Sequence, residues 1–245
     1  MEKRALITGA GQRIGKGIAL DLAQKGWDVA LHYHRSQVEA LTLAAEITRM
    51  GRKAVALAAD LSDETQVAHL VETATHQLGP LSCLINNAAA FIPDTPATVS
   101  HNTWHTLLNT NSRAPLILSQ NFAQKALNHL TPDLPKLIIN ISDQMALKPN
   151  MRFTSYSLSK QLLDSITRLM AKEFAPHVRV NGISLGLVMA NVGMPYSDFE
   201  AMCQNTPLKR ATQLDEICRC IQLIMECPSM TGSIIPLESG MTLGV

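Results

Sequence analysis

The 245-residue sequence has no excess of charge of either sign: 21 Lys and Arg stand against 20 Asp and Glu, for a formal net charge of +1. The charges are scattered, with no basic run, so no bulk field favours nucleic acid or a membrane surface. There is no apolar stretch of about 18 residues to span a bilayer, and no signal-peptide pattern. Met1-Glu2-Lys3-Arg4 leads straight into the apolar run Ala5-Leu6-Ile7. A soluble, cytoplasmic protein is expected. Cysteine is sparse and irregular. Cys83, Cys203, Cys218, Cys220 and Cys227 are odd in number and lack zinc-type spacing, so reduced thiols and no metal are expected. Cys218-x-Cys220 falls in an apolar helical pattern and reads as packing. No linker, low-complexity tract or fixed-period repeat divides the chain.

What is present is an apolar content of 46% and enough length for one α/β domain with a fully buried sheet. Strand-like runs occur at Arg4–Thr8, Asp28–Tyr33, Ala54–Ala58, Cys83–Ile85, Leu137–Ser142, Arg179–Ile183 and Ser233–Pro236. Helical patterns alternate with them near Ile14–Lys25, Val38–Met50, Asp63–Leu78, Asn102–His129, Ser155–Phe174 and Leu214–Met225. Several of the strand runs are continuously apolar, as in a sheet covered on both faces. Repeated strand–helix–strand order implies right-handed crossovers. The expected fold class is α/β: a single domain over residues 1–245, with a doubly wound parallel sheet of about seven strands and helices on both faces. One long irregular stretch, about Gly186–Thr212, contains Pro195 and Pro207. It reads as a lid or binding loop, or as a surface connection.

The first strand runs into Thr8-Gly9-Ala10-Gly11-Gln12-Arg13-Ile14-Gly15. Glycines permit a tight turn, and the helix start that follows offers free N–H groups to a pyrophosphate. The context of strand, glycine loop and helix opening a βαβ unit makes Gly9, Gln12, Arg13 and Ile14 candidates for binding a dinucleotide. The second strand ends in His32-Tyr33-His34-Arg35-Ser36, without the acid that would bond the ribose hydroxyls of NAD. Arg35, Ser36 and Arg13 are suited to a 2′-phosphate, so NADPH/NADP+ is expected over NAD(H). The alternative is a solvated strand end. Asp60 and Leu61 after the third strand would lie beside the adenine, and Asn86-Asn87-Ala88 after the fourth beside the adenosine side. Asp60 is equally placed to cap the next helix.

Tyr156-Ser157-Leu158-Ser159-Lys160 sets a phenol and an ammonium one helical turn apart on one face. Asp143 lies 13 residues upstream of Tyr156. Together with Thr8–Gly15, Asn86-Asn87-Ala88, Asn111 and Gly186, this pair resembles the short-chain dehydrogenase/reductase family across essentially the whole chain. That resemblance implies a Rossmann fold, catalysis by Tyr156, Lys160 and Asn111, cofactor contacts from Tyr156, Lys160 and Gly186, and a homotetramer. Within the family the chain resembles the pteridine and dihydromonapterin-type reductases. Three features carry the narrower likeness: Arg13 in the first loop, the His32–Ser36 strand end, and Asp143 where the family usually has serine. Phe91 sits where those enzymes have a phenylalanine that covers the pterin. The pattern differs at Ala89-Ala90, where a serine is usual, and at Leu185-Gly186, where Pro-Gly is usual.

The resemblance implies hydride transfer from NADPH to a C=N bond of a pterin, with Arg13, Phe91, Asp143, Tyr156, Met189 and Met194 as substrate contacts, and Tyr196 as a further candidate in the loop. A tyrosine near its ordinary pKa of about 10 is a weak acid–base group, and Lys160 is expected to lower it. Asp143 is a candidate catalytic acid that would hydrogen-bond Tyr156 and deliver or relay a proton, and in an apolar site its pKa is expected to be raised. Two other readings of Asp143 stand: a loop cap, or the mark of an inactive site. The alternatives for the whole chain are a carbonyl or 3-oxoacyl-type reductase, and a non-catalytic NADP(H)-binding protein.

Overall fold

Seven short apolar runs pair side by side, all parallel, in a computed structural model that describes residues 3–127 and 136–243. The strands are β1 (Arg4–Ile7), β2 (Asp28–Tyr33), β3 (Ala54–Ala58), β4 (Cys83–Asn86), β5 (Lys136–Asp143), β6 (Val178–Leu185) and β7 (Ile234–Leu237). Their order is β3-β2-β1-β4-β5-β6-β7, so the direction of winding reverses between β1 and β4. Ligands of such sheets bind at that reversal, beyond the C-terminal ends of the strands. Alternate residues of each strand feed opposite faces. On β1, Ala5 and Ile7 pack with the helices α1 (Arg13–Gln24), α2 (Gln37–Arg49) and α8 (Leu214–Glu226). Leu6 packs with α3 (Glu64–Leu78), α5 (Ala114–Leu127) and α6 (Thr154–Glu173). The seven strands and the α/β architecture agree with the sequence reading, with strand boundaries moved by at most two residues.

Two helical expectations are corrected. The pattern at Asn102–His129 is not one regular helix. It comprises α4 (His101–Leu108), a π-helical turn (Asn109–Arg113) and α5, with 128 and 129 lying outside the described residues. The π turn brings Asn111 inward, where its Oδ1 accepts the Ala90 N–H at 2.8 Å and its Nδ2 donates to the Ala90 carbonyl at 2.9 Å. Inserted turns of this kind concentrate at functional sites. The stretch Gly186–Thr212 is not wholly irregular either, because it contains α7 (Tyr196–Gln204). Pro195 precedes that helix, a position where its fixed φ and missing N–H are harmless, and Phe199 and Cys203 are its buried residues.

α6 is fastened to the rest by buried polar contacts as well as by apolar packing. The Asp94 carboxylate accepts from both the backbone N–H and the hydroxyl of Ser155 in the first turn, where negative charge opposes the free N–H groups. Beneath the helix, Asn86 Nδ2 donates to Asn140 Oδ1 at 2.8 Å, and Asn140 Nδ2 donates to Thr167 Oγ1 at 2.8 Å. The apolar centre on this side is closed around Leu84, which has no exposure. Leu84→Ala should therefore destabilise the fold by about 2–5 kcal/mol in urea unfolding, the range for a cavity in a packed core.

Candidate functional site

The reversal between β1 and β4 opens into a cleft of about 700 Å³. Gly9 there adopts φ +63°, with a would-be Cβ 3.0 Å from Ala88 Cα. At Gly15 a Cβ would lie 2.1 Å from the Gly9 carbonyl oxygen, so neither position accepts a side chain. Thr8 Oγ1 accepts the N–H groups of Asn87 and Ala88 at 2.9 and 3.0 Å, and Asn87 Nδ2 donates to the Thr8 carbonyl at 2.9 Å. His32 stands behind the loop. The Gly9 N–H donates to its Nδ1 at 3.0 Å, which leaves Nε2, 3.0 Å from the Ala59 carbonyl, as the donor of a neutral ring. His32 and Asn87 thus brace the loop with polar atoms that sequence reading had reserved for a ligand, although both residues also line the cleft.

Of the other expected cofactor residues, Gln12, Arg13, Ile14, Tyr33, His34, Arg35, Ser36, Asp60, Leu61 and Ala88 line the same cleft, whereas Tyr156, Lys160 and Gly186 do not. Asp60 accepts from the Ser62 N–H and hydroxyl at 2.9 and 2.7 Å. Burial pushes its carboxyl up, but the Ser62 bonds, His34 and Arg35 together hold it below the usual range. The next helix is capped by Asp63, not Asp60. Sequence reading missed Ser62, Ala89, Ala90, Ile92, Thr106 and Thr110 in the lining. The i, i+4 spacing of Thr106 and Thr110 was the available signal for those two. The glycine turn suits a pyrophosphate, and the rim at the end of β2 carries Arg35 and Ser36 with no acid. These features fit a 2′-phosphorylated dinucleotide.

Arg13 adopts φ +54°, a conformation that strains any residue with a Cβ. Its Nη2 reaches across to donate to the Met189 carbonyl at 3.3 Å. That bond ties the cleft to the loop after β6. Gly186, Met194 and Tyr196 belong to this segment but do not line the cleft. Gly186 abuts Glu238, whose Cα would be 2.7 Å from an added Cβ.

At the end of β5 the candidate catalytic groups converge. Tyr156 Oη donates to Asp143 Oδ2 at 2.9 Å, while Asp143 Oδ1 accepts the Met145 N–H at 2.8 Å. One carboxyl thus caps its own turn and hydrogen-bonds the tyrosine. Lys160 Nζ donates to the Ile141 carbonyl at 2.8 Å and lies 5.7 Å from the Tyr156 ring centroid. Asn111 Nδ2 donates to Ser159 Oγ at 3.0 Å, beside Lys160 rather than to it. Phe91 lines the cleft and meets Tyr156 edge-on, with centroids 4.7 Å apart. Its ring stacks on Phe153 at 4.4 Å, a contact sequence reading missed although Phe153 lies three residues before Tyr156.

Burial raises the Asp143 pKa, as expected, against the opposing Met145 N–H, Lys160 and Tyr156. The expectation for Tyr156 is corrected. Burial first, then the charge and hydrogen bond of Asp143, push its hydroxyl well above the ordinary value. Lys160 does not lower it, because the ammonium is turned to Ile141. Burial also pulls the Lys160 pKa down, opposed by Asp143 and Asp164. The tyrosine is therefore held as a phenol, in a pair with a carboxyl of raised proton affinity.

Comparison with known proteins gives the same picture. A family profile described as short chain dehydrogenase matches residues 3–201. The chain is 31% identical over 278 residues to pteridine reductase 1 of Leishmania tarentolae, covering 98% of this chain and 96% of that one. It is 30% identical over 246 residues to L-xylulose reductase of Caenorhabditis elegans, covering 98% and 95%. The crystal structure of FolM alternative dihydrofolate reductase 1 from Brucella canis, complexed with NADP, superposes with a TM-score of 0.91 at 35% identity, covering 99% of this chain and 95% of that one.

His32 connects this site to stability. Burial lowers its pKa from 6.5 to about 4. Between those values the unfolded chain binds a proton that the folded chain refuses, so stability is lost as the pH falls through the window. The full loss is about 3 kcal/mol. Denaturant unfolding at pH 7 and pH 4 should show this difference in the wild type, and His32→Asn should reduce it sharply. An unchanged difference in the variant would remove His32 as the titrating group.

Proposed function

The chain belongs to the short-chain dehydrogenase/reductase family, and from that premise we propose that it is an NADPH-dependent reductase of a pterin: a dihydropteridine, dihydrobiopterin, dihydromonapterin or dihydrofolate-like ring. The observation that carries this reading is the buried Asp143–Tyr156 pair, with Phe91 beside it. The similarity to pteridine reductase 1 and to the NADP-complexed dihydrofolate reductase structure supports the same choice. We read residues 1–245 as one cytoplasmic domain, with residues 186–212 closing over the substrate.

The glycine turn, Arg35 and Ser36, and Asp60 and Leu61 are the residues that would hold NADPH, which when bound would supply the hydride. Everything else is done by the chain's own residues. Phe91 offers an aromatic face to a flat ring, and Arg13 and the Met189 segment border it. Hydride addition to the carbon of a C=N bond leaves negative charge on the nitrogen, and the Tyr156 hydroxyl is placed to give it a proton. Asp143, with its raised proton affinity, returns that proton or gives its own. Lys160 keeps a positive charge nearby and would hydrogen-bond the nicotinamide ribose of a bound cofactor. Asn111 holds the turn that leads to solvent. A carbonyl or 3-oxoacyl-type reductase is the alternative, favoured by the similarity to L-xylulose reductase. Against it, Asp143 would be a poor partner for a developing oxyanion unless protonated.

The deciding assay follows NADPH oxidation with dihydrobiopterin, dihydromonapterin, dihydrofolate and a simple ketone. Turnover of at least one pterin or folate is expected, with little on the ketone; the reverse pattern would select the carbonyl reading. Asp143→Ala should lower kcat by about 10²–10⁴-fold with NADPH binding retained. Arg35→Ala should weaken NADPH much more than NADH.

We also place the partner contacts of a homotetramer on α5 and α6. α6 exposes Leu158, Leu162 and Leu169 along one side, and a groove of about 460 Å³ between the helices is walled by Leu116, Ala123, Met170 and Phe174. Light scattering should give four times the 26.7 kDa chain mass, and Leu169→Glu should lower the assembly size.

A further inference from the structure

Asp164 follows Lys160 by one helical turn, so both side chains leave α6 on the same face. It is 5% exposed, yet it is a carboxyl group. Ser142 Oγ donates to its Oδ1; burial raises the Asp164 pKa, and the Ser142 bond, Arg168 and Lys160 favour its charged form against that pull. Ser142 immediately precedes Asp143 and lies one residue beyond Ile141, whose carbonyl holds Lys160. The β5–β6 register sets Ser184 beside Ser142, and the Ser184 hydroxyl is buried without a partner. Asp164 therefore sits in a polar compartment under α6 that continues into the Lys160 site.

The charged groups that act on Asp164 are Lys160 and Arg168 on α6 and Asp143 at the end of β5. Arg168 is on the exposed side of the helix. Those acting on Lys160 are Asp143 and Asp164. A fully buried ammonium is unstable unless negative charge stands near it. Asp143 cannot provide that charge throughout a catalytic cycle in which it is also a proton source. A second carboxyl, which gives no proton to the ring and whose charged form is favoured by Ser142, Arg168 and Lys160 against burial, can.

Building on the reductase reading above, we propose that Asp164 is a positioning residue for proton delivery: it supplies negative charge, outside the reacting pair, that keeps Lys160 an ammonium while Asp143 and Tyr156 exchange their proton. Burial pulls the Lys160 pKa down and Asp164 resists that pull. Removing the charge lowers the proton affinity of Lys160. It also removes the repulsion between the two carboxyls, which lowers the proton affinity of Asp143. Both effects have the same sign, so the protonated, active form is lost at lower pH.

The test is the pH profile of kcat/KM with NADPH and the best substrate of the panel. Asp164→Asn preserves shape and still accepts from Ser142. It should move the alkaline limb toward acid by about one pH unit, with NADPH affinity unchanged within about two-fold. Asp164→Glu, which keeps the charge, should leave the limb near its wild-type position, and Asp164→Gln should shift it like Asp164→Asn. This longer pair reads the charge if the asparagine variant does not fold. Tyr156→Phe serves as the reference. If it leaves turnover intact, the reductase mechanism itself fails. If it abolishes turnover while Asp164→Asn leaves the limb unmoved, only the role of Asp164 is overturned. Neutral variants that all fail to fold, beside a folded Asp164→Glu, would assign the charge to stability and also overturn it.

Discussion

A buried hydrogen bond between a phenol and a carboxyl group constrains everything around it. For Tyr156 Oη to lie 2.9 Å from Asp143, the first turn of α6 must meet the last residue of β5. The Asp94–Ser155 bonds fix the start of the helix, and the Lys160–Ile141 bond fixes its next turn to the same strand. The compartment is dry, so each ionisable group in it resists its charged form: Asp143 is pushed up and Lys160 down. Exclusion of water thus makes the carboxyl a better proton carrier and makes the ammonium dependent on nearby negative charge. The same burial that holds the helix in place sets the chemistry available to it.

The cleft beside this compartment is organised differently. Its polar residues divide into those that shape the backbone and those left free for a ligand. Thr8, Asn87 and His32 direct their hydrogen bonds into the glycine turn. Arg35 and Ser36 remain on the rim. Arg13 belongs to both groups, because its strained backbone aims the guanidinium at the loop after β6. Phe91 joins the two regions, facing the cleft while touching the edge of Tyr156. A ring placed against Phe91 is therefore brought beside the proton-bearing pair without further rearrangement of α6.

The parallel sheet was legible because buried parallel strands are continuously apolar, and the glycine turn because its spacing follows a strand. Tyr156 and Lys160 were legible through helical periodicity, a local property. What escaped was set by contacts distant in sequence. Nothing near Asn109 signals a π turn, since its cause is the backbone of Ala90, 21 residues away from Asn111. α7 is short, lies in a segment marked by two prolines, and is anchored by the burial of Phe199 and Cys203. The proton state of Tyr156 was misread because sequence separation placed Lys160 beside it, whereas the ammonium turns to a carbonyl of β5. His32 was read as a ligand contact from the likeness of the His32–Ser36 strand end to an NADPH-binding sequence, and its bracing of the glycine turn from behind was not legible there. Its pKa of about 4 shows an uncharged brace.

A serine hydroxyl at the position of Asp143 would both donate and accept at any pH, but it would not store a proton for exchange near neutrality. A carboxyl does both jobs only if its proton affinity is raised, and here burial raises it. Covering the pair with a flat ring removes still more water, which moves the carboxyl further in the same direction. Binding of such a ring and protonation of Asp143 are therefore favourably coupled. A ring nitrogen that gains electron density needs that proton. An aliphatic ketone, which covers less of the site, strengthens the coupling less. On the proposed function, preference for a planar heterocycle would follow from desolvation of this pair as well as from hydrogen-bond pattern.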